Sequence, residues 1–183
     1  MKITPTRLQG VVVVETPPLT DDRGAFTRLF CNSELAGTVG HRRIVQINHS
    51  RTRLPGAVRG LHYQRPPHAE MKFVRCIRGR VWDVAVDLRA GSPTFLKWHA
   101  EELSPDKARM LIVPEGCAHG FQVLEPDSEM LYLHTAFYEP GFEGGLAYND
   151  PRLAIAWPLP VTELSGADSR RPFVTEDFSG LSA

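Results

Sequence analysis

VRGLHYQ, residues 58–64, has the length of a strand, yet it carries Arg59, His62 and Gln64 where a core strand would carry valine. Side chains on a strand alternate between two faces with period two. Val58, Gly60, His62 and Gln64 are therefore expected to share a face. Two further stretches show the same habit. In RIVQINHS (43–50) Gln46, Asn48 and Ser50 share one face. In EMLYLHTAFYE (129–139) Met130, Tyr132, His134, Ala136 and Tyr138 share one, and Leu131, Leu133, Thr135 and Phe137 the other. One such strand reads as a solvated face. Three together, with uncharged hydrogen-bonding groups beside aromatics, predict the lined interior of a barrel that holds a polar organic ligand.

The surrounding chain agrees. Short runs rich in Val, Ile, Phe and Tyr stand at 11–15, 25–30, 57–64, 71–79, 80–89, 94–103, 109–114 and 119–125, punctuated by Gly, Pro and Asp. Regular spacing of this kind predicts an all-β sandwich or barrel. Helix signals are confined to NSELAG (32–37) and to SGAD (165–168). The Pro-rich segment 150–183 reads as a wrap around the barrel, within one domain spanning 1–183. A chain of 183 residues is long enough for a sizeable core.

Twenty-one basic side chains balance twenty-one acidic ones, which argues against nucleic acid as a partner. The three cysteines, Cys31, Cys76 and Cys117, are widely spaced with no CxxC, so neither a disulfide framework nor a zinc ribbon is expected. A reduced, cytoplasmic setting is the simplest expectation. MKITPTRLQG has no apolar core of a signal peptide, and no apolar run reaches the about 18 residues of a membrane span.

Polar chemistry concentrates in RGLHYQRPPHAEMK (59–72), with PEGCAHGF (114–121) supplying His119. These suggest a cupin, whose metal-binding members use an HxH pair, a glutamate and a later histidine. Here His62, Tyr63 and Gln64 replace HxH, and His68 follows two prolines. Convergence on a metal at about 2 Å is not expected from that spacing. The metal-free reading is acid–base chemistry: His62 as general base, a carboxylate (Glu70, Asp83, Asp87 or the distant Asp168) to orient it, Lys72 and Arg59 to stabilise an enolate oxygen, and Tyr132 to deliver a proton. Each has a plainer role taken singly. His62 fits a hydrogen-bonded core, Lys72 a solvated face and Tyr132 a paired core aromatic. Asp168 fits a helix cap in the S-x-x-D pattern of residues 165–168. All of them together would need separate excuses.

RGLHYQ (59–64), PEGCAHGF (114–121), LYLHTAFYEPGFEGG (131–145) and NDP (149–151), in order between DDRGAF (21–26) and LSGAD (164–168), resemble the dTDP-4-dehydrorhamnose 3,5-epimerase family of cupin-fold enzymes. The resemblance implies a cupin-type β-barrel, a double-stranded jelly roll, with short helices near the N-terminal part and the C-terminus. It implies His62 as the base with Asp168 as its partner, Lys72 at the enolate oxygen and Tyr132 as proton donor on the opposite face. Arg59 and His119 would line the sugar or diphosphate pocket. Arg23, Phe26, Gln46, Asn48, Tyr138 and Glu143 would hold the nucleotide of a dTDP-sugar. It further implies no metal, no cofactor, and a homodimer in which the N-terminal part of one subunit reaches its partner's site. Arg28, Tyr148 and Ala25 depart from the residues common in the family, and all three bear on nucleotide contacts. The competing readings are a single-centre epimerase, a 3,4-ketoisomerase of a dTDP-sugar, a non-catalytic sugar-binding cupin and a metal-dependent cupin dioxygenase.

Overall fold

The computed structural model describes residues 1–182. In chain order the strands are β1 (Lys2–Pro5), β2 (Val12–Glu15), β3 (Leu19–Asp21), β4 (Gly24–Phe26), β5 (Gln46–Thr52), β6 (Val58–Gln64), β7 (Lys72–Arg78), β8 (Val81–Asp87), β9 (Trp98–Leu103), β10 (Arg109–Val113), β11 (Cys117–Val123), β12 (Ser128–His134) and β13 (Glu143–Gly145), with one short helix, α1 (Ala36–Val39). A further helical turn covers Asp168–Arg170. Six strands form one antiparallel sheet in the order β1-β2-β10-β7-β12-β5, and five form a second in the order β13-β6-β11-β8-β9. The two sheets face each other in a cupin-type barrel.

Alternation along the strands sorts residues between inside and outside. Val74, Cys76, Leu111, Val113 and Met130 from the first sheet meet Val81, Ala85, Leu103, Cys117 and Phe121 from the second in one buried cluster. The opposite face of the first sheet carries Phe73, Ile112 and Leu133. It is covered by Leu35, Val39 and Phe30, with Phe30 edge-on to Phe73 at 5.7 Å. The opposite face of the second sheet carries Leu61, Val84, Val86 and Ala118, and the C-terminal segment covers it with Leu146, Leu153, Trp157 and Val174. Both faces of both sheets are thus apolar near the centre, which is why these strands read as nearly continuous hydrophobic runs.

The C-terminal segment is tied down by polar contacts as well. The Gln122 side chain donates to the Leu159 carbonyl at 2.9 Å and accepts from the Leu159 N–H at 2.9 Å. The Val58 N–H donates to the Glu163 carbonyl at 3.0 Å. These bonds deliver residues 164–168 to the flank of β6. The run AFTRLF shortens to the three-residue β4, paired with β3 in a hairpin outside both sheets. The alternation in EMLYLHTAFYE ends with β12 at His134.

Candidate active site

The decisive local feature lies in β6. His62 pairs with His119 on β11, and Arg59 pairs with Phe121. A three-residue step on one strand therefore meets a two-residue step on the other, which is a β-bulge. Strict alternation would put Arg59 and His62 on opposite faces. The bulge brings both to the wall of one cavity of about 440 Å3. It also corrects the expectation that Val58, Gly60, His62 and Gln64 share a face through simple alternation, since Arg59, of the other parity, lines the cavity with His62 and Gln64. Gly60 makes the bulge possible. Its φ is +123°, and a Cβ there would meet Gly120 Cα at 2.6 Å and the His119 carbonyl oxygen at 2.8 Å.

Four histidines line the cavity, each beside its own carboxylate, with His49 Nε2 3.1 Å from Glu129 Oε2 at the exposed end. His62 Nε2 lies 2.5 Å from Asp168 Oδ1. Of the four carboxylates open at the sequence level, it is the most distant in the chain that reaches His62. The Asp168 N–H donates to Ser165 Oγ at 3.0 Å, while the helical turn at 168–170 has Ala167 at its N-cap and no side-chain cap bond. The carboxylate itself faces His62 and the Gly60 N–H, 3.5 Å away. Burial pushes the Asp168 carboxyl up. The hydrogen bond and charge of His62, with Ser165 and the Gly60 N–H, outweigh burial and hold it below the ordinary value. His119 Nε2 lies 2.9 Å and 3.0 Å from the two oxygens of Asp83, which is fully buried. Burial pushes the Asp83 carboxyl up, against the attraction of His119. His134 Nδ1 lies 2.7 Å from Glu70 Oε2.

Lys72 and Tyr132 come from the other sheet. Lys72 Nζ sits 3.2 Å from Glu70 Oε1 and donates to the His62 carbonyl at 3.4 Å, joining the two walls. The Tyr132 hydroxyl is 2.9 Å from Ser50 Oγ. Its ring stacks on His134, centroids 6.2 Å apart at 23°, and meets His119 edge-on at 6.4 Å. Burial pushes the Tyr132 phenol well above its ordinary value, with the Ser50 bond opposing, so the hydroxyl stays protonated at neutral pH. Arg59 Nε donates to Thr52 Oγ1 at 2.8 Å. Tyr138 donates to Glu143 Oε2 at 2.8 Å, and Arg171 Nη2 donates to Glu143 Oε1 at 2.5 Å, all three lining the cavity.

The family described as dTDP-4-dehydrorhamnose 3,5-epimerase matches residues 5–176. Over 182 residues the chain is 42% identical to the dTDP-4-dehydrorhamnose 3,5-epimerase of Escherichia coli, covering 99% of this chain and 98% of that one. The chain belongs to the dTDP-4-dehydrorhamnose 3,5-epimerase family. Solved members resemble it throughout. The dTDP-6-deoxy-D-glucose-3,5-epimerase of Legionella pneumophila, in complex with dTDP-4-keto-L-rhamnose, is 38% identical with a TM-score of 0.89, over 94% of this chain and 92% of that one. A 3'-monoepimerase of Streptomyces bikiniensis, in complex with dTDP-quinovose, is 31% identical with a TM-score of 0.87, over 92% of this chain and 86% of that one.

Of the site residues expected for a member of this epimerase family, His62, Lys72, Tyr132, Asp168, Arg59, His119, Asn48, Tyr138 and Glu143 line the one cavity. Gln46 stands one step back, donating to Asn48 Oδ1 at 3.3 Å and accepting from the Tyr138 N–H at 3.1 Å. Arg23 and Phe26 do not line this cavity. They sit on the exposed β3–β4 hairpin, where Arg23 pairs with Asp21 at 2.5 Å. His134, Ser50 and Arg171 were not singled out from the sequence as site residues. The first two share a face with Tyr132 and Asn48 respectively, and that parity was the available signal. For Arg171, beyond the last strand, no periodicity exists to read. Among the described residues, no three His, Cys, Asp or Glu side chains are grouped to hold a metal ion, and no helix is long and apolar enough to cross a membrane.

Proposed function

We propose that this chain epimerises dTDP-4-dehydro-6-deoxy-D-glucose at C3 and C5 to give dTDP-4-dehydro-L-rhamnose. The observation that carries the reading is the pairing of a histidine–aspartate dyad on one sheet with a protonated tyrosine on the facing sheet, across one cavity. The C4 keto group acidifies the hydrogens on its neighbours. With Asp168 accepting from Nε2–H, the basic lone pair of His62 is on Nδ1, which takes the carbon-bound proton. The electron pair moves into the carbonyl, and the enolate oxygen is met by the Lys72 ammonium. Tyr132 returns a proton to the same carbon from the opposite face, the phenolate recovers its proton from solvent, and the His62 imidazolium gives the abstracted proton up to solvent. The centre is inverted with no net change in oxidation state. Arg59 and His119 meet the sugar and diphosphate, and Asn48, Tyr138 and Glu143 the nucleotide end.

Arg23, Phe26 and Gln46 complete the nucleotide contacts in this reading. The hairpin bearing Arg23 and Phe26 does so from the partner subunit of a homodimer. The exposed apolar side chains Leu19 and Phe26 on that hairpin, with Ile47 and Phe137 beside the β5 edge, support such an assembly. The site of action is the cytoplasm, where activated sugars are assembled.

The test is proton NMR of the reaction in heavy water. Loss of both the C3 and the C5 proton signals, with L-rhamno stereochemistry in the product, is the expected result. Exchange at C3 alone would replace the reading with that of a single-centre enzyme. A folded, inert chain would overturn it.

A further inference from the structure

We infer that Glu70 and His134 are positioning residues that together hold Lys72 and Tyr132 against the substrate. The inference rests on the epimerase reading above and names two side chains that reading does not use. Glu70 divides its carboxylate, one oxygen to Lys72 Nζ at 3.2 Å and the other to His134 Nδ1 at 2.7 Å. His134 Nε2 in turn lies 3.3 Å from Asn48 Nδ2, and Asn48 Oδ1 accepts from Gln46 at 3.3 Å. The directions close on one pattern. Nδ1–H donates to Glu70 and Nε2 faces the Asn48 amide, so the orientation of the imidazole is fixed from both sides.

Glu70, Lys72 and His134 are each 9% exposed. A fold that needed only a core would fill this volume with apolar side chains, because buried charges are costly unless fully paired. Burial pushes the Glu70 carboxyl up, yet the His134 bond and the Lys72 charge overcome burial and hold it below its ordinary value, so it is a carboxylate at neutral pH. Lys72 has three donors. One goes to Glu70 and one to the His62 carbonyl, which leaves one for the cavity. The same His134 ring that anchors Glu70 is the plate on which the Tyr132 ring stacks. The loop that carries Glu70 is itself clamped to the end of β12, where the Met71 N–H donates to Thr135 Oγ1 at 2.8 Å. One network thus sets both the cation at the enolate oxygen and the proton donor.

The test compares Glu70→Gln in the wild-type and Lys72→Ala backgrounds, with kcat, KM and thermal melting measured on the full chain. In the wild-type background kcat falls between about tenfold and a hundredfold, the scale of a misplaced catalytic group, while KM stays within about twofold. In the Lys72→Ala background the further loss is several-fold smaller than in the wild type, because the Lys72 arm of the network is gone and only the arm through His134 to Tyr132 remains. Equal losses in the two backgrounds, or wild-type kcat in Glu70→Gln, would overturn the inference. His134→Phe is the second variant and decides alone if Glu70→Gln does not fold or Lys72→Ala is too slow to follow. It keeps the plate beneath Tyr132 and removes the donor to Glu70. Its kcat falls as in Glu70→Gln, while the ratio of epimer formed to deuterium exchanged is unchanged; wild-type kcat there would also sink the proposal. A wild-type chain inert toward dTDP-4-dehydro-6-deoxy-D-glucose would bring down the epimerase reading, and this inference with it. An active wild type with indifferent variants overturns this inference alone.

Discussion

Asp168→Asn separates a structural carboxylate from a functional one. The substitution is isosteric, and the Asp168 N–H that donates to Ser165 Oγ belongs to the backbone, so the turn at 168–170 keeps that bond. What changes is the bond to His62 at 2.5 Å. An amide nitrogen facing Nε2 would donate, which forces Nε2 to accept and moves the ring proton to Nδ1. The nitrogen that should take the substrate proton then already carries one. The imidazolium also loses its counter-charge. A wrong tautomer of this kind costs on the order of 10⁴-fold in kcat in a related dyad, or about 5 kcal/mol of barrier. The loss in stability is far smaller. Asp168 is buried but His62 is one-third exposed, so the pair contributes on the order of 1 kcal/mol to folding. For a chain of this length that is a drop in melting temperature of about 2–4 °C. The assay is steady-state epimerisation beside a thermal melt of the same preparation. A kcat within tenfold of wild type would refute the assigned role of the dyad. Retained activity with a melting point lowered by more than about 10 °C would show that Asp168 serves the fold.

Other consequences follow from the same geometry. Tyr132→Phe should retain deuterium exchange at C3 more than it retains inversion, read from the ratio of the two in heavy water; equal loss of both would deny the tyrosine its place as donor. Gly60→Ala should destabilise the chain by on the order of 3 kcal/mol, measured by denaturant unfolding. Its Cβ would press on the backbone of Gly120 and His119 at 2.6 Å and 2.8 Å, and an undisturbed midpoint would mean that β6 relaxes without the bulge. Stability should also depend on pH in a definite direction. The Glu70 and Asp168 carboxyls lie below their ordinary values of 4.5 and 3.8. A depressed folded-state value gives stability that is present above the unfolded value and disappears as pH falls through the folded one. Melting temperature should therefore hold level from neutral pH to about 4.5 and fall below it. The fall should be shallower in a Glu70→Gln, Asp168→Asn double variant; an identical acid slope in the two proteins would remove these carboxylates from the account.

The barrel was legible because most of its strands keep period two over most of their length. Met130, Tyr132 and His134 alternate with Leu131 and Leu133 as read, and the strands from Gln46, Lys72, Val81 and Arg109 start within a few residues of where Val, Ile and Phe begin to cluster. What was not legible breaks the period or has none. The pairing of Lys2–Pro5 with β2 comes from a short edge segment too polar to mark itself. Glu143–Gly145 pairs with β6 although glycine carries no strand signal. Arg59 belongs to the cavity only through the bulge, and a single sequence offers no count that reveals an extra residue in one strand of a pair. Asp168 was nameable as a candidate but not placeable, since its approach to His62 depends on Gln122, Leu159 and Val58 holding a tail that has no periodicity of its own.

The same irregularities explain why a fold of regular strands suits a reaction that inverts a carbon centre. Inversion needs a proton carrier on each side of the substrate, and two facing sheets supply opposed walls at no extra cost in architecture. Regular strands alone would supply walls whose polar groups point inward at every second residue and nowhere else. The proposed base with its orienting carboxylate, next to Arg59, needs a denser placement on one wall. The bulge at Gly60 gives Arg59 and His62 a common face, and the returning tail brings Asp168 in from outside the sheet. On the other wall strict alternation suffices, because Tyr132 and His134 are two residues apart on β12 and Lys72 pairs with His134 from β7. The His62 side of the cavity is thus the side assembled by exceptions. Substitutions that restore regularity there, at Gly60 above all, should impair catalysis and stability together, whereas changes to Glu70 or His134 on the regular wall should leave the fold standing and slow the chemistry.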